Sequence, residues 1–133
     1  MQDSVRTVLL IEDDDGVRNL LRTLLRLAGY ETLSCQQGSE AVELMEARGG
    51  SLHLLITDVN LGGAMDGFEA AALLRDRQPS LKVLFMSGED EAEPVPPGSV
   101  RDADRFLRKP FAPRAFAEAV AFLLRTADAS AVS

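Results

Sequence analysis

Five short apolar runs are distributed along the chain, separated by longer stretches of mixed polarity. Two of them, residues 8–11 and 52–57, are continuous and are followed directly by an acidic residue. Uninterrupted apolar runs of this length are typical of strands that are buried on both faces of a parallel sheet. The five predicted strands are residues 8–11, 32–35, 52–57, 83–86 and 105–107.

Between these strands, apolar residues recur every three or four positions, which predicts amphipathic helices. The first helix carries Val17, Leu21 and Leu25 on one face and closes at Gly29, a residue type favoured just after a helix. A second helix is predicted from about residue 38 to 48, a third over 68–78, and a last one around 116–124. Strands that alternate with helices indicate an α/β domain with a parallel sheet.

One connection breaks this alternation. Between the fourth and fifth predicted strands, where a helix is expected, the chain contains Pro94, Pro96 and Pro97. Proline removes a backbone hydrogen-bond donor and clashes with the preceding turn of a helix. The helix in this connection is therefore predicted to be short, displaced or absent.

Composition narrows the classes of function. The chain is 46% hydrophobic, enough for a core, and its formal net charge of −7 argues against binding to nucleic-acid backbones, which requires clustered cations. No apolar run reaches the roughly 20 residues of a membrane span, and the first residues lack the features of a secretory signal. We therefore expect one cytoplasmic domain over 1–133 that binds neither nucleic acid nor membrane. Its core is expected over about 6–125, with a frayed tail at 126–133.

Two single residues are assigned structural roles. Cys35 is the only cysteine and lies in an apolar stretch, so it is expected to be a buried thiol rather than half of an intramolecular disulfide. His53 is the only histidine and opens a predicted strand, where no partner for it is evident from the sequence.

Polar residues follow the predicted strands at their carboxyl ends, which is where parallel α/β sheets bind ligands. Clustered carboxylates repel one another unless a cation neutralises them, and a compact set of oxygen ligands suits Mg²⁺. The sequence therefore predicts a magnesium site at this edge of the sheet. The residues concerned are Glu12, Asp13 and Asp14 after the first strand, Asp58 after the third, Ser87 after the fourth and Lys109 after the fifth.

Segments at these same strand ends resemble those of bacterial response-regulator receivers. The resemblance covers nearly the whole chain, in the same order, and it implies a flavodoxin-like, doubly wound fold. In that fold a five-stranded parallel sheet has the strand order 2-1-3-4-5 and helices on both faces. The segments are VLLIEDD at 8–14, LITDVN at 55–60, MDG at 65–67, MSG at 86–88 and FLRKPF at 106–111.

The resemblance also implies a chemistry. A receiver of this family accepts a phosphoryl group from a phosphohistidine onto an aspartate, here Asp58, with Mg²⁺ or Mn²⁺ as the cofactor. Glu12 and Asp13 would hold the metal, one of them directly and the other directly or through water. Asp58 itself and the backbone carbonyl of Asn60 would complete the protein's share of the ligands.

Further roles follow from the same resemblance. Lys109 would neutralise charge on the phosphoryl oxygens, and Ser87 would donate a hydrogen bond to one of them. Ser87 and Phe106 occupy the switch positions, although tyrosine is more typical where this chain has Phe106. Asn60 and Glu89 would flank the path of the hydrolytic water, a pairing similar to that of chemotaxis receivers with short-lived phosphorylation.

The implied protein is a signalling module rather than an enzyme, since it catalyses only its own phosphorylation and autodephosphorylation. Its donor would be a histidine kinase or a histidine phosphotransfer protein, and its output a downstream protein target. The proline-rich connection would weaken the usual dimer face, so a monomer or weak dimer is expected. The resemblance leaves open whether the chain is a stand-alone regulator or the receiver of a hybrid histidine kinase.

Other interpretations compete with this one. Taken singly, Asp13 and Asp14 suit a helix start, and Asp58 and Lys109 suit a turn and an exposed surface. One alternative is therefore a receiver-like interaction module that is not phosphorylated. An Asp-nucleophile phosphatase of the haloacid dehalogenase type would need a second aspartate where this chain has Asn60. A flavodoxin-like cofactor binder is disfavoured because the acids after the first strand would repel an FMN phosphate.

Overall fold

The computed structural model describes residues 5–49, 51–88, 95–98 and 100–132, with side chains described as far as residue 125. Within these residues the chain forms five strands and four helices. In chain order they are β1 (Thr7–Ile11), α1 (Asp15–Leu27), β2 (Glu31–Cys35), α2 (Gly38–Arg48), β3 (Leu54–Asp58), α3 (Gly67–Arg77), β4 (Lys82–Ser87), β5 (Arg105–Arg108) and α4 (Pro113–Val132).

The strands form one parallel sheet in the order β2-β1-β3-β4-β5. This order, and the doubly wound α/β fold with helices on both faces, confirm the predicted fold class. The order reverses direction between β1 and β3, so the carboxyl ends of these two strands form the point at which ligands bind in such folds.

Both faces of the sheet are buried, as the continuous apolar runs predict. In β1, Leu9 and Ile11 pack in the cluster that α2 and α3 cover, while Val8 and Leu10 pack in the cluster that α1 and α4 cover. All four side chains are 0% exposed. The buried thiol of Cys35 belongs to the first cluster, which confirms its predicted burial.

The boundaries of α3 differ from the prediction for a local reason. The helix begins at Gly67 because Asp66 caps it: the Glu69 amide donates to the Asp66 carboxylate at 2.8 Å, and the Asp66 amide donates to the Glu69 carboxylate at 2.9 Å. This reciprocal pair satisfies two amide groups that the first turn of a helix otherwise leaves unpaired. The preceding strand, β3, likewise begins later than predicted, at Leu54, and extends to include Asp58.

The connection between β4 and β5 contains no helix in its described residues, 95–98 and 100–104. This agrees with the prediction of a short or absent helix, since Pro96 and Pro97 both lie in this part. Pro94 and Glu89 lie outside the described residues.

A buried ion pair anchors the end of this connection. Arg75 of α3 donates to the Asp104 carboxylate, with 2.5 Å between Nη2 and Oδ1, and these side chains are 8% and 0% exposed. Asp104 also accepts the Val83 amide at 3.1 Å and the Arg101 amide at 2.9 Å. The guanidinium of Arg75 donates from Nε to the carbonyl of Leu81 at 3.1 Å. One carboxylate thus joins α3, the start of β4 and the residues that lead into β5.

His53 has a structural role, as predicted, but the expectation that it lacks a partner is wrong. The Thr7 amide donates to His53 Nδ1 at 2.9 Å, and the His53 amide donates to the Thr7 carbonyl at 2.9 Å. Burial, followed by the nearby Arg6 and Arg48, lowers the pKa of His53 and keeps it in the neutral form that accepts this hydrogen bond.

No helix in the described part of the chain combines the length and the apolar composition that a membrane crossing requires. The backbone of α4 extends to Val132. The frayed tail predicted for 126–133 falls on residues whose side chains lie outside the description, and it stays a prediction.

Candidate functional site

The carboxyl ends of β1, β3 and β5 open into a cavity of about 390 Å³. It brings together five of the residues that were singled out in the sequence: Glu12, Asp13, Asp58, Asn60 and Lys109. Ser87 ends β4 at the rim of the same cavity, next to its lining residue Gly88. The lining is completed by Asp14, which was also singled out in the sequence, and by Val17 and Gly62.

Lys109 bridges the two most buried acids of the site. Its ammonium nitrogen lies 2.7 Å from Glu12 Oε1 and 2.8 Å from Asp58 Oδ1. Glu12 is 1% exposed and Asp58 5% exposed. The Lys109 amide donates to the Ser87 carbonyl at 2.7 Å, which extends the pairing of β5 with β4 and points the lysine side chain across the strand ends.

The second carboxylate oxygen of Glu12 is held by the loop that follows β1. Glu12 Oε2 accepts the Asp14 amide at 3.1 Å, and Arg18 donates to the Glu12 carbonyl at 3.0 Å. Asp14 is the N-cap of α1, accepting the Val17 amide at 2.8 Å, so the helix-cap interpretation is confirmed for Asp14. The contacts of Asp14 and Arg18 with Glu12 were not predicted from the sequence. The role of Asp14 as a helix cap was predictable, because an acid three residues before Val17 is a recognisable capping signal.

The surroundings of the site shift the pKa values of Asp58 and Glu12 in opposite directions. Burial, together with the neighbouring Glu12, raises the pKa of Asp58 to about 8. Burial alone would also raise the pKa of Glu12, but its hydrogen bonds with Asp58, Lys109 and the Asp14 amide outweigh that effect and lower it. The two acids interact closely and therefore titrate as a pair, in which burial and repulsion favour the protonated form of Asp58. The same carboxylates raise the pKa of Lys109 against the opposing effect of burial.

The charges suit a divalent cation. Ligand oxygens of Glu12, Asp13 and Asp58 lie within 4.8 Å of one another. When all three acids are ionised they face one ammonium group, Lys109, and an excess of two negative charges remains. Hard carboxylate ligands with that excess fit Mg²⁺ or Mn²⁺, and Asp13 lies on the exposed side, where the ion would retain water ligands.

Magnesium affinity is expected to rise with pH and to level off above about pH 8. Since Asp58 is protonated in the metal-free site below its pKa of about 8, Mg²⁺ must displace a proton in order to bind. Between pH 6 and pH 7 the ionised fraction of Asp58, and hence the apparent affinity, should increase about tenfold. Calorimetric titrations in buffers of different ionisation enthalpy would measure both the affinity and the released proton. Equal affinities at pH 6 and pH 8 would contradict this assignment of the proton, and Asp58→Asn should lack the pH dependence.

Two glycines shape the loop beside Asp58. Gly67 lies so close to β3 that a Cβ atom there would be 2.9 Å from the Asp58 carbonyl carbon and 3.0 Å from the Val59 Cα, and closer still to the Asp58 carbonyl oxygen. Gly62 has a φ of +69°, and a Cβ there would lie 3.3 Å from Asp13 Oδ2. At Gly67 the constraint is steric. At Gly62 it is conformational, since non-glycine residues rarely adopt positive φ.

Phe106 lies on the exposed side of β5, with 45% of its surface accessible. Its ring stacks on buried Phe85 at a centroid distance of 5.1 Å, and Phe85 in turn contacts Phe68 at 5.0 Å. Phe106, the predicted switch residue, therefore links the protein surface to the core through its contact with Phe85.

Comparison with known proteins agrees with this geometry. A family model described as the response regulator receiver domain matches residues 8–121. The chain is 36% identical over 124 residues to the sensor kinase CckA of Brucella abortus, covering 92% of this chain and 13% of that protein. It is 35% identical over 114 residues to the response regulator protein FleR of Pseudomonas aeruginosa, covering 86% of this chain and 24% of that one.

The same likeness holds among solved structures. The receiver domain of the hybrid histidine kinase CckA matches with a TM-score of 0.73 and 33% identity, covering 89% of this chain and 98% of that one. The chain spans 13% of the length of CckA and 24% of that of FleR, so the similarity concerns only a part of each of these proteins.

Proposed function

The chain belongs to the family of response regulator receiver domains, and on that basis we propose that it accepts a phosphoryl group on Asp58 from a phosphohistidine. The observation that carries this proposal is the buried carboxylate of Asp58 beside Lys109, Glu12 and Asp13 in one cavity. Its partners would be a histidine kinase or histidine phosphotransfer protein as donor and a downstream protein as target.

The transfer is a single displacement at phosphorus. A carboxylate oxygen of Asp58 forms a bond to phosphorus while the bond from phosphorus to the imidazole nitrogen breaks, and the imidazole takes up a proton as it leaves. Lys109 stabilises the charge on the phosphoryl oxygens, and Ser87 donates a hydrogen bond to one of them. Mg²⁺ held by Glu12, Asp13, Asp58 and the Asn60 carbonyl would supply the remaining positive charge and keep Asp58 ionised.

Asn60 and Glu89 are proposed to set the lifetime of the phosphorylated state. Asn60 lies at the mouth of the cavity, two residues after Asp58, and its side-chain oxygen accepts the Gly62 amide at 3.4 Å. From this position its amide group is able to orient a water molecule towards the phosphoryl group. Glu89 lies outside the described residues, so its share of this role rests on its place two residues after Ser87.

Phosphorylation by acetyl phosphate tests the proposed function directly. With Mg²⁺ present, wild-type protein is expected to gain the mass of one phosphoryl group, and Asp58→Asn is expected to gain none because the nucleophile is gone. Asp76→Asn, which removes an exposed acid from α3, serves as the matched control and should behave as wild type. Intact-mass spectrometry measures all three. Wild-type protein that stays unmodified with Mg²⁺ would overturn the proposal.

An apolar pocket of about 420 Å³ adjoins the site between α1 and the residues after β5. It is lined by Leu20 and Leu21 of α1 and by Lys109, Pro110 and Phe111, and Leu20 is 53% exposed. Lys109 lines this pocket and also contacts Asp58. A protein docked in the pocket would therefore present its phosphohistidine to Asp58. We therefore assign this pocket to the phosphohistidine-bearing donor.

Leu20→Glu is expected to slow phosphotransfer from a histidine kinase by about tenfold, the loss that follows when one central apolar contact is removed. Its phosphorylation by acetyl phosphate, which needs no docking, should be unchanged. Leu27→Glu, 80% exposed on the same helix and outside the pocket, is the matched control. The kinase is chosen from a purified panel as one that phosphorylates wild type, and transfer is followed with labelled phosphate. Equal rates for Leu20→Glu and Leu27→Glu would remove this pocket as the docking site.

The proposed output is a change of surface at Ser87 and Phe106. When Ser87 moves to donate to the phosphoryl group, the adjacent strand β5 and its exposed ring are free to repack, which shifts the population of a partner-binding surface. The described part of the β4–β5 connection has no helix to complete the usual dimer face, and we propose a monomer or weak dimer.

A further inference from the structure

β5 is held at its two ends by different kinds of contact. At its carboxyl end, Lys109 bonds to Glu12 and Asp58, so this end responds to any change of charge in the site. At its amino end, the residue immediately before the strand is Asp104, whose side chain is completely buried. Phe106 lies between these two ends, and three of the four residues of β5 are exposed.

The amino end is fixed by several hydrogen bonds of one residue, Asp104. Asp104 Oδ1 accepts both the guanidinium of Arg75 and the Val83 amide, while Oδ2 accepts the Arg101 amide. The Asp104 amide in turn donates to the Arg101 carbonyl at 2.9 Å. A shift of Asp104 therefore stretches hydrogen bonds to α3, to β4 or within its own turn.

Stability alone does not account for this arrangement. An ion pair buried to this degree loses the hydration of both charges, and apolar residues of similar volume generally stabilise a fold as well or better. What the pair adds is a defined position for Asp104. Arg75 bonds to both the Leu81 carbonyl and Asp104 with a geometry that a lysine cannot reproduce. The pair does so beside the β4–β5 connection, whose described residues form no helix.

We propose that Arg75 and Asp104 are positioning residues for the switch: they fix the amino end of β5, so that a charge change at Lys109 reaches Phe106. With one end fixed, a displacement of Lys109 towards a phosphoryl group alters the path of the strand and the packing of Phe106 on Phe85. With that end released, the same displacement is absorbed by movement of the whole strand. This inference rests on the proposed phosphorylation of Asp58.

A double variant that removes the charges together provides the test. Arg75→Met with Asp104→Asn leaves no unpaired charge in the interior, and the asparagine oxygen is still able to accept the Val83 amide. Arg77→Met with Glu46→Gln is the matched control, since it removes an exposed ion pair between α3 and α2. 4-Fluorophenylalanine at position 106 reports the ring environment by fluorine NMR, before and after acetyl phosphate with Mg²⁺, and intact mass reports phosphorylation.

We expect all three proteins to be phosphorylated to the same extent. The phosphorylation-dependent shift of the fluorine signal should be retained in wild type and in the Arg77 and Glu46 control, and reduced at least about twofold in the Arg75 and Asp104 variant. An equal shift in all three proteins, or no shift in phosphorylated wild type, overturns the positioning role. Failure of wild type to gain a phosphoryl group contradicts the proposed function instead.

A single conservative variant keeps the test available if the double variant does not fold. Arg75→Lys retains the charge but cannot bond to both the Leu81 carbonyl and Asp104, so it should fold and show an intermediate fluorine shift. Circular dichroism and the urea midpoint establish that each variant is folded before its signal is compared. A full wild-type shift in Arg75→Lys would count against the proposal.

Discussion

Gly67→Ala is expected to lower the free energy of unfolding by about 3 kcal/mol and to slow phosphorylation by acetyl phosphate by tenfold or more. The added Cβ would overlap the carbonyl group of Asp58, which is backbone and has no free rotation to relieve the contact. Either α3 moves outward or the end of β3 moves with Asp58 away from Lys109. Urea denaturation followed by circular dichroism measures the first effect, and intact mass against time measures the second.

Gly63→Ala supplies the control, because it lies in the same loop and a Cβ there meets nothing within 4 Å. It should match wild type in both measurements. If Gly67→Ala unfolds at the wild-type urea concentration, the close approach of α3 to β3 is not a constraint on this protein.

Arg75→Met is expected to lower the free energy of unfolding by about 3–5 kcal/mol, the usual effect of removing one partner from a buried ion pair. The loss comes from Asp104, whose carboxylate would remain buried with its hydrogen bonds to the Val83 and Arg101 amides but without a counter-charge. Urea denaturation again gives the measurement. Adding Asp104→Asn to this variant should restore part of the stability, since the orphaned charge is then absent.

Arg77→Met, two residues further along α3, tests whether the burial of the ion pair determines the loss of stability. Its partner Glu46 is exposed, and the pair should contribute no more than about 1 kcal/mol. Equal destabilisation by Arg75→Met and Arg77→Met would mean that burial does not set the strength of these pairs here.

Much of the fold was predictable because the signals are local. Continuous apolar runs identify strands buried on both faces, and the acids that follow them mark the carboxyl edge of a parallel sheet. Glu12, Asp13, Asp58 and Lys109 do come together, as their positions after the first, third and fifth strands predict. The lack of a helix in residues 95–98 and 100–104 agrees with the local effect of proline on a helix.

The remaining features depend on partners that are distant in the chain. Arg75 has the pattern of a solvent-facing helical charge, and only Asp104, 29 residues away, explains its burial. His53 pairs with a backbone amide 46 residues earlier, so no window of sequence shows its partner. The protonation of Asp58 depends on three-dimensional proximity to Glu12 and on burial, neither of which spacing alone determines.

The contacts among the rings of Phe68, Phe85 and Phe106 have a practical consequence. The chain contains no tryptophan and a single tyrosine, so its intrinsic fluorescence is weak and featureless. An indole placed at position 106 would be the only one in the protein, set on the outer end of a column of rings that leads into the core. Emission from that one group would report, in real time and without a label, how far the ring at the surface is shielded from water.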